Sequence, residues 1–199
     1  MCNLYNLRVA KLEFNSYFQA QDDWRQQLLV EKDYVAPDKP GYVVRDVDGQ
    51  RTLSVMRWGF PPPKNADKSV VNCRNIESPF WRGALTKPER HCLVPATSFS
   101  EWSVKVPGEK QKLHWFNVPS RPIFGMAGIW RPTDSGDTYA FLTADPNGLV
   151  GAIHPKAMPV ILLEDDWDAW LAGDFSAVVQ LAQPFPSQLM AIVDDPRGS

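Results

Sequence analysis

Between residues 42 and 163 the chain is a succession of short β-branched and aromatic runs, each cut off by glycine, proline or aspartate, and this punctuation limits what it can fold into. Runs at 42–45 and 53–58 flank Asp48-Gly49, a dipeptide that strongly signals a tight hairpin. Further strands are expected at 4–8, 70–72, 92–95, 99–102, 113–118, 123–129, 139–143 and 158–163, with Pro107-Gly108 and Ser135-Gly136 among the breakers. Residues 61–68, opening with three prolines, read as a loop. Helices are expected over a stretch carrying Leu12, Phe14, Tyr17 and Phe18, near 24–29, and over 80–85, 164–171 and 175–181. The acids Glu164, Asp165 and Asp166 suit a helix N-terminus. Many short strands with helices mainly at the ends imply the α+β class. We expect one domain over 1–199, with a barrel-like mixed, mainly antiparallel β core flanked by short helices.

Composition removes several functional classes. A chain that is 44% hydrophobic can bury a sizeable core, which excludes wholesale disorder. No run approaches the roughly 20 apolar residues of a membrane span, and the start Met-Cys-Asn-Leu-Tyr lacks the features of a signal peptide. A cytoplasmic protein without membrane contact is expected. The three cysteines, Cys2, Cys73 and Cys92, form no CxxC pair, which argues against a disulfide framework or a zinc site. P-loop, GxGxxG and GxSxG patterns are absent, so neither a nucleotide cofactor nor α/β-hydrolase chemistry is expected. With 21 Lys+Arg against 23 Asp+Glu, any nucleic-acid site must come from a local basic patch.

The chemistry begins at Cys2. Removal of Met1 leaves a residue carrying both an α-amine, titrating near pH 8, and a thiol near 8.5, by typical values. This 1,2-aminothiol suits an aldehyde: the amine forms an imine and the sulfur closes onto it, giving a five-membered thiazolidine. The plainer alternative is a buried cysteine beside the first strand.

Five ordered segments bear on the choice: 72–75 (Asn-Cys-Arg-Asn), 90–95 (Arg-His-Cys-Leu-Val-Pro), 99–102 (Phe-Ser-Glu-Trp), 127–130 (Ala-Gly-Ile-Trp) and 153–160 (Ile-His-Pro-Lys-Ala-Met-Pro-Val). Together with Met1-Cys2 they make the chain resemble the SOS-response-associated peptidase (SRAP) family, the abasic-site processing proteins, over residues 1–163. The resemblance implies a protein of damaged DNA that cross-links an abasic site in single-stranded DNA through Cys2. It further implies a cytoplasmic, nucleoid-associated monomer without cofactor. Carried over by motif, Cys2 is the nucleophile, Asn72 the polar residue beside it, Glu101 the acid/base and His154 the imidazole.

These types suit the reaction. A carbinolamine must lose its hydroxyl as water, which needs a carboxyl group that can protonate it, and burial beside Phe99 and Trp102 would raise the pKa of Glu101 toward that use. His154 is a second proton donor near physiological pH. For the strand itself, Arg57, Arg74 and Arg82 supply phosphate contacts, Asn75 belongs to the same cleft motif, and Trp58, Phe80 and Trp81 offer stacking faces. Plainer roles remain open: a surface or ion-paired Glu101, a loop His154, a turn-forming Asn72 and core tryptophans. Asn3-Leu4 follow Cys2 where most members carry Gly-Arg, and Ala157 precedes Met158-Pro159 where the usual form has Arg. Both departures mark a bacterial or phage-type subgroup. Two other activities compete: a thiol peptidase acting at the N-terminus, and a non-catalytic single-strand binding module.

Overall fold

The Asp48-Gly49 turn shapes the first hairpin. Both residues take positive φ, 54° and 79°, as a two-residue mirror-image turn requires, and Val47 and Gln50 face each other across it. A computed structural model describes residues 2–8, 11–23, 30, 32–64 and 66–198. Its strands and helices in chain order are β1 (Tyr5–Asn6), α1 (Lys11–Phe18), β2 (Gln21–Asp22), β3 (Tyr34–Val35), β4 (Pro40–Val47), β5 (Gln50–Trp58), β6 (Asn72–Cys73), α2 (Pro79–Leu85), β7 (His91–Ala96), β8 (Ser98–Trp102), β9 (Leu113–Asn117), β10 (Phe124–Arg131), β11 (Thr138–Ala144), α3 (Gly148–Gly151), β12 (Met158–Pro159), β13 (Ile161–Leu162), α4 (Trp167–Ala172), α5 (Phe175–Leu181) and β14 (Ala191–Val193).

Strands β5, β4, β7, β10 and β11 pair antiparallel in that order, and β11 returns to β5 in parallel, with Arg57 opposite Thr138 and Trp58 opposite Tyr139. The path therefore closes on itself as a small barrel, which removes the open edges of these strands. Other parallel pairs are β6 with β11 and β2 with β5. A second, antiparallel sheet runs β14-β9-β8-β1-β3, and the chain passes from barrel to sheet between β7 and β8 at Thr97. Strands β7 and β11 are buried at every position, which is why they read as nearly continuous apolar runs.

The barrel interior is aromatic. The Tyr5 and Tyr139 hydroxyls hydrogen-bond to each other, and the Trp58 ring stacks on Phe141 with centroids 5.1 Å apart. A Cβ at Gly41 would overlap both tyrosine hydroxyls, so this position admits only glycine without repacking.

The expected hairpin, the barrel-like core and both C-terminal helices are present, although residues 164–166 form a 3-10 turn ahead of α4. The expected strand over 158–163 is two strands, because Val160 donates its N–H to Leu142 while its carbonyl accepts from Ala127. Its flanks thereby pair with different partners, β12 with β11 and β13 with β10. The 4–8 strand shortens to β1, and the helix expected near 24–29 lies outside the described residues. No helix among the described residues is long and apolar enough to cross a membrane.

Gly41→Ala is expected to lower stability by about 1–3 kcal/mol, the usual range for overpacking a core. Tyr139→Phe removes one of the obstructing hydroxyls, so the same substitution should cost less in that background. Urea unfolding of the two single variants and the double variant measures the difference.

Candidate active site

The segment leading into β1 lies against β8 and β6. The Leu4 carbonyl accepts hydrogen bonds from the Ser100 N–H and Oγ, both at 3.0 Å, and from the Cys2 thiol at 3.4 Å. Cys2 is fully buried, and its own carbonyl accepts from Asn72 Nδ2 at 2.8 Å. Asn72 reaches this position because β6 lies along β11, with Asn72 opposite Phe141. Its Oδ1 is buried and has no hydrogen-bond partner among the described residues.

Glu101 lies on β8 opposite His114 and is 1% exposed. The first four residues of β8 are all buried, and only Trp102, its last residue, is exposed. Burial raises the Glu101 carboxyl from the ordinary carboxylate range to about 7, which makes it a group that exchanges a proton near neutrality.

His154 follows α3, a helix of one turn whose N-cap, Asn147, accepts from the Leu149 and Val150 N–H groups at 3.1 and 2.9 Å. The His154 N–H donates to the Val150 carbonyl at 2.7 Å, and ring Nδ1 lies 3.0 Å from the Trp102 carbonyl. A carbonyl can only accept, so Nδ1 carries the ring proton. Desolvation lowers the His154 pKa, leaving a neutral ring whose Nε2 lone pair stands 3.6 Å from Glu101 Oε2. At this distance the two groups are neighbours without a direct hydrogen bond. The Cys2 thiol, by contrast, is pushed far above its ordinary range, first by burial and then by the Glu101 charge, and rests as S–H.

Four residues far apart in sequence, Cys2, Asn72, Glu101 and His154, thus come together where the segment before β1 lies between β8 and β6. The expected strand-binding residues divide. Arg74 and Asn75 directly follow β6; Arg74 is exposed and paired with Asp145 at 2.5 Å, and Asn75 Oδ1 accepts from the Glu77 N–H at 3.0 Å. Arg57 is exposed and donates to the Asp38 carbonyl at 2.9 Å. On α2, Arg82 is exposed and Phe80 half-buried, with the Arg131 guanidinium 5.2 Å from the Phe80 centroid.

Trp58 and Trp81 correct the sequence expectation. Trp58 is fully buried, flanked by Phe141 and Tyr5, and donates to the Val71 carbonyl at 3.0 Å, so neither face is open to a base. Its service to the site is indirect, holding the residue before Asn72. Trp81 packs against Phe60 and is 4% exposed. The reason is packing: Trp58 belongs to the aromatic filling of the barrel, and Trp81 is on the buried face of α2 against Phe60. Trp102, which directly follows Glu101, is 47% exposed. No group of three or more His, Cys, Asp or Glu among the described residues is placed to hold a metal.

With this geometry in view, the comparisons place the chain in a class. The model of the SOS response associated peptidase (SRAP) family matches residues 1–194, and the chain belongs to that family. Among its relatives, abasic site processing protein YoqW of Bacillus subtilis strain 168 is 28% identical over 199 residues, covering 87% of each chain. Abasic site processing protein YobE of the same strain is 29% identical over 162 residues, covering 73% of this chain and 72% of that protein. Among solved structures, a protein from Bacteroides thetaiotaomicron superposes with a TM-score of 0.79 at 23% identity, covering 96% of this chain and 90% of that one. A phage-related protein from Bordetella bronchiseptica gives 0.75 at 16% identity, covering 98% and 94%. At these identities the structures establish the fold.

The buried carboxyl has a stability signature. An unfolded glutamate ionises near pH 4.5 while Glu101 stays protonated to about 7, so raising pH through that window favours the unfolded chain; below it both states are protonated and nothing changes. Glu101→Gln is therefore expected to match the parent near pH 4.5 and to exceed it at pH 8 by up to about 3 kcal/mol, a shift of that size at 1.36 kcal/mol per unit. Urea unfolding at the two pH values measures this.

Proposed function

We propose that this protein processes abasic sites in single-stranded DNA by capturing them covalently as a thiazolidine through Cys2. The observation that carries this reading is the convergence of Cys2, Asn72, Glu101 and His154, with Glu101 titrating near 7 beside the neutral His154 ring. The names of the relatives, abasic site processing proteins, point to the same class of DNA damage.

With Met1 removed, the Cys2 amine attacks the aldehyde carbon of the ring-opened sugar. Asn72 holds the Cys2 carbonyl through Nδ2, and its unpartnered Oδ1 is available to accept from the amine. Glu101 donates a proton to the carbinolamine hydroxyl, which leaves as water and yields the imine. Sγ then adds to the imine carbon, and its proton passes through the Glu101 carboxylate to the ring nitrogen. One C–N and one C–S bond form, one water departs, and no redox partner is needed. A thiol that rests protonated suits this sequence, because sulfur is called on only after the imine has formed. His154 Nε2, which carries the ring's lone pair, can take up a proton from Glu101 and pass it to the sugar oxygen as the ring opens. A thiol peptidase would need the sulfur ionised against an imidazole; here the thiol donates to the Leu4 carbonyl and the imidazole faces Glu101.

Mixing the protein with an oligonucleotide containing an abasic site, followed by denaturing electrophoresis, tests the reading. Cys2→Ala and an N-terminus left blocked should each abolish the heat-stable adduct, whereas Cys2→Ser should leave an imine that borohydride traps. Normal adduct formation with a blocked N-terminus overturns the mechanism. In single-turnover time courses at saturating protein, Glu101→Gln should slow capture by about 10²- to 10⁴-fold, the usual contribution of a positioned acid or base. Arg74→Ala, tested separately by salt titration, should weaken binding to intact and abasic strands alike and lower the slope of log affinity against log salt by about 0.7.

A further inference from the structure

The ring-closing step of the proposed capture calls on the Cys2 sulfur as a nucleophile, although the thiol rests as S–H and is fully buried. Only the thiolate attacks well, and an isolated buried thiolate is costly. Some group beside the sulfur must therefore favour the charge as it forms.

The Leu4 carbonyl next to that sulfur holds a surplus of donors. Strand β1 pairs with β8, Tyr5 opposite Phe99 and Asn6 opposite Ser98, and beyond this ladder the Ser100 N–H reaches the Leu4 carbonyl at 3.0 Å. The Ser100 hydroxyl donates to the same oxygen at 3.0 Å, and the Cys2 thiol does so at 3.4 Å. A carbonyl oxygen has two lone pairs and a thiol is a weak donor, so three donors are one more than this oxygen needs. Ser100, itself buried, supplies two of the three.

The same two residues approach the sulfur. Burial, first, and the Glu101 charge, second, oppose ionisation of the Cys2 thiol, whereas backbone hydrogen bonds from Leu4 and Ser100 favour it. A backbone favours a thiolate only by donating, and its one donor is the N–H. The Leu4 and Ser100 N–H groups therefore face Sγ.

We infer that the Leu4 and Ser100 N–H groups form a two-donor pocket for the Cys2 sulfur as it becomes the attacking thiolate, and that the Ser100 hydroxyl is a positioning group that keeps the Leu4 carbonyl satisfied while the Ser100 N–H shifts to sulfur. The inference rests on the capture reading above and gives its last step a place for the charge. In that step the Sγ proton passes to the Glu101 carboxylate, and a sulfur electron pair forms the C–S bond at the imine carbon. The π pair of the C=N bond moves to nitrogen, which takes the proton from Glu101, so atoms and electrons balance. Donors already aimed at the atom where charge develops need little rearrangement when it appears.

The test separates the two bonds. Protein with Met1 removed is mixed in excess with an abasic oligonucleotide, and aliquots are quenched with and without borohydride before heating and denaturing electrophoresis. Product without borohydride measures the thiazolidine, and the additional product with borohydride measures the imine. Ser100→Ala should slow conversion of imine to thiazolidine about 2- to 12-fold, the worth of one neutral hydrogen bond, with a smaller effect on imine formation. Ser100→Thr, which keeps the hydroxyl, should restore the conversion. Replacing the Leu4 amide by an ester, with the hydroxy acid of leucine incorporated at that position, removes one N–H and leaves side chain and carbonyl in place. That variant should slow the same conversion about 10- to 150-fold, the worth of a hydrogen bond to a charged group. Unchanged conversion in Ser100→Ala and in the ester variant overturns the inference, and so does equal slowing of both steps, the mark of a purely structural role. A parent that gives neither product overturns the capture reading and the inference with it, whereas a parent that closes the ring at the same rate as both variants overturns the donor pocket alone.

Discussion

The parallel pairing of β5 with β11 is the contact on which the rest of this structure depends. It joins the two ends of a path of antiparallel neighbours, and backbone hydrogen bonds from Arg57 to Asp137 and from Gly59 to Tyr139 seal it. Once the barrel is closed, the chain leaving β5 crosses to lie beside β11 further along, and β6 takes the position that brings Asn72 to Cys2. The aromatic filling follows from the same closure: Tyr5 enters from the second sheet, meets Tyr139 across Gly41, and packs edge-on to Trp58. A cysteine near the chain start and an asparagine seventy residues later are thereby held in contact without a rigid local motif.

The site itself is organised by desolvation. Its acid is kept neutral to about pH 7, its imidazole is kept uncharged, and its thiol remains protonated, so three titratable groups are buried together without a net ionic cost in the resting state. Such a site stores reactivity as instability: a carboxyl that resists ionisation draws stability from the fold at neutral pH, the usual exchange between stability and function at a reactive centre. The ordering of capture agrees with this. In the proposed capture the amine acts first, the acid expels water, and sulfur is needed only when a positively polarised imine carbon is already adjacent.

The surface next to the site obeys a different physics. Glu101 and Trp102 are consecutive, yet one is 1% and the other 47% exposed, because β8 leaves the packed layers at its last residue. The end of one short strand thus holds a proton carrier inside and an aromatic ring in solvent, with His154 clamped to the Trp102 carbonyl that follows them.

Much of this was legible in the chain. The Asp48-Gly49 hairpin, the runs that became β7 to β11, and α5 over 175–181 follow from local propensity and turn chemistry, which act over a few residues. The motif residues Cys2, Asn72, Glu101 and His154 could be named because the ordered motifs that carry them resemble those of the SRAP family, while their chemical types alone left plainer roles open. Three-dimensional packing decided the remainder. Strands of two or three residues such as β2, β3 and β14 carry no readable period and exist only because a neighbour completes their hydrogen bonds. The division at Val160 arises from its bonds to two different strands. Trp58 and Trp102 lie in equally β-rich runs, and nothing local separates them. Closure of the barrel buries the first, while the second ends β8 and stays in solvent, so burial, a property of the whole assembly, is what separates them.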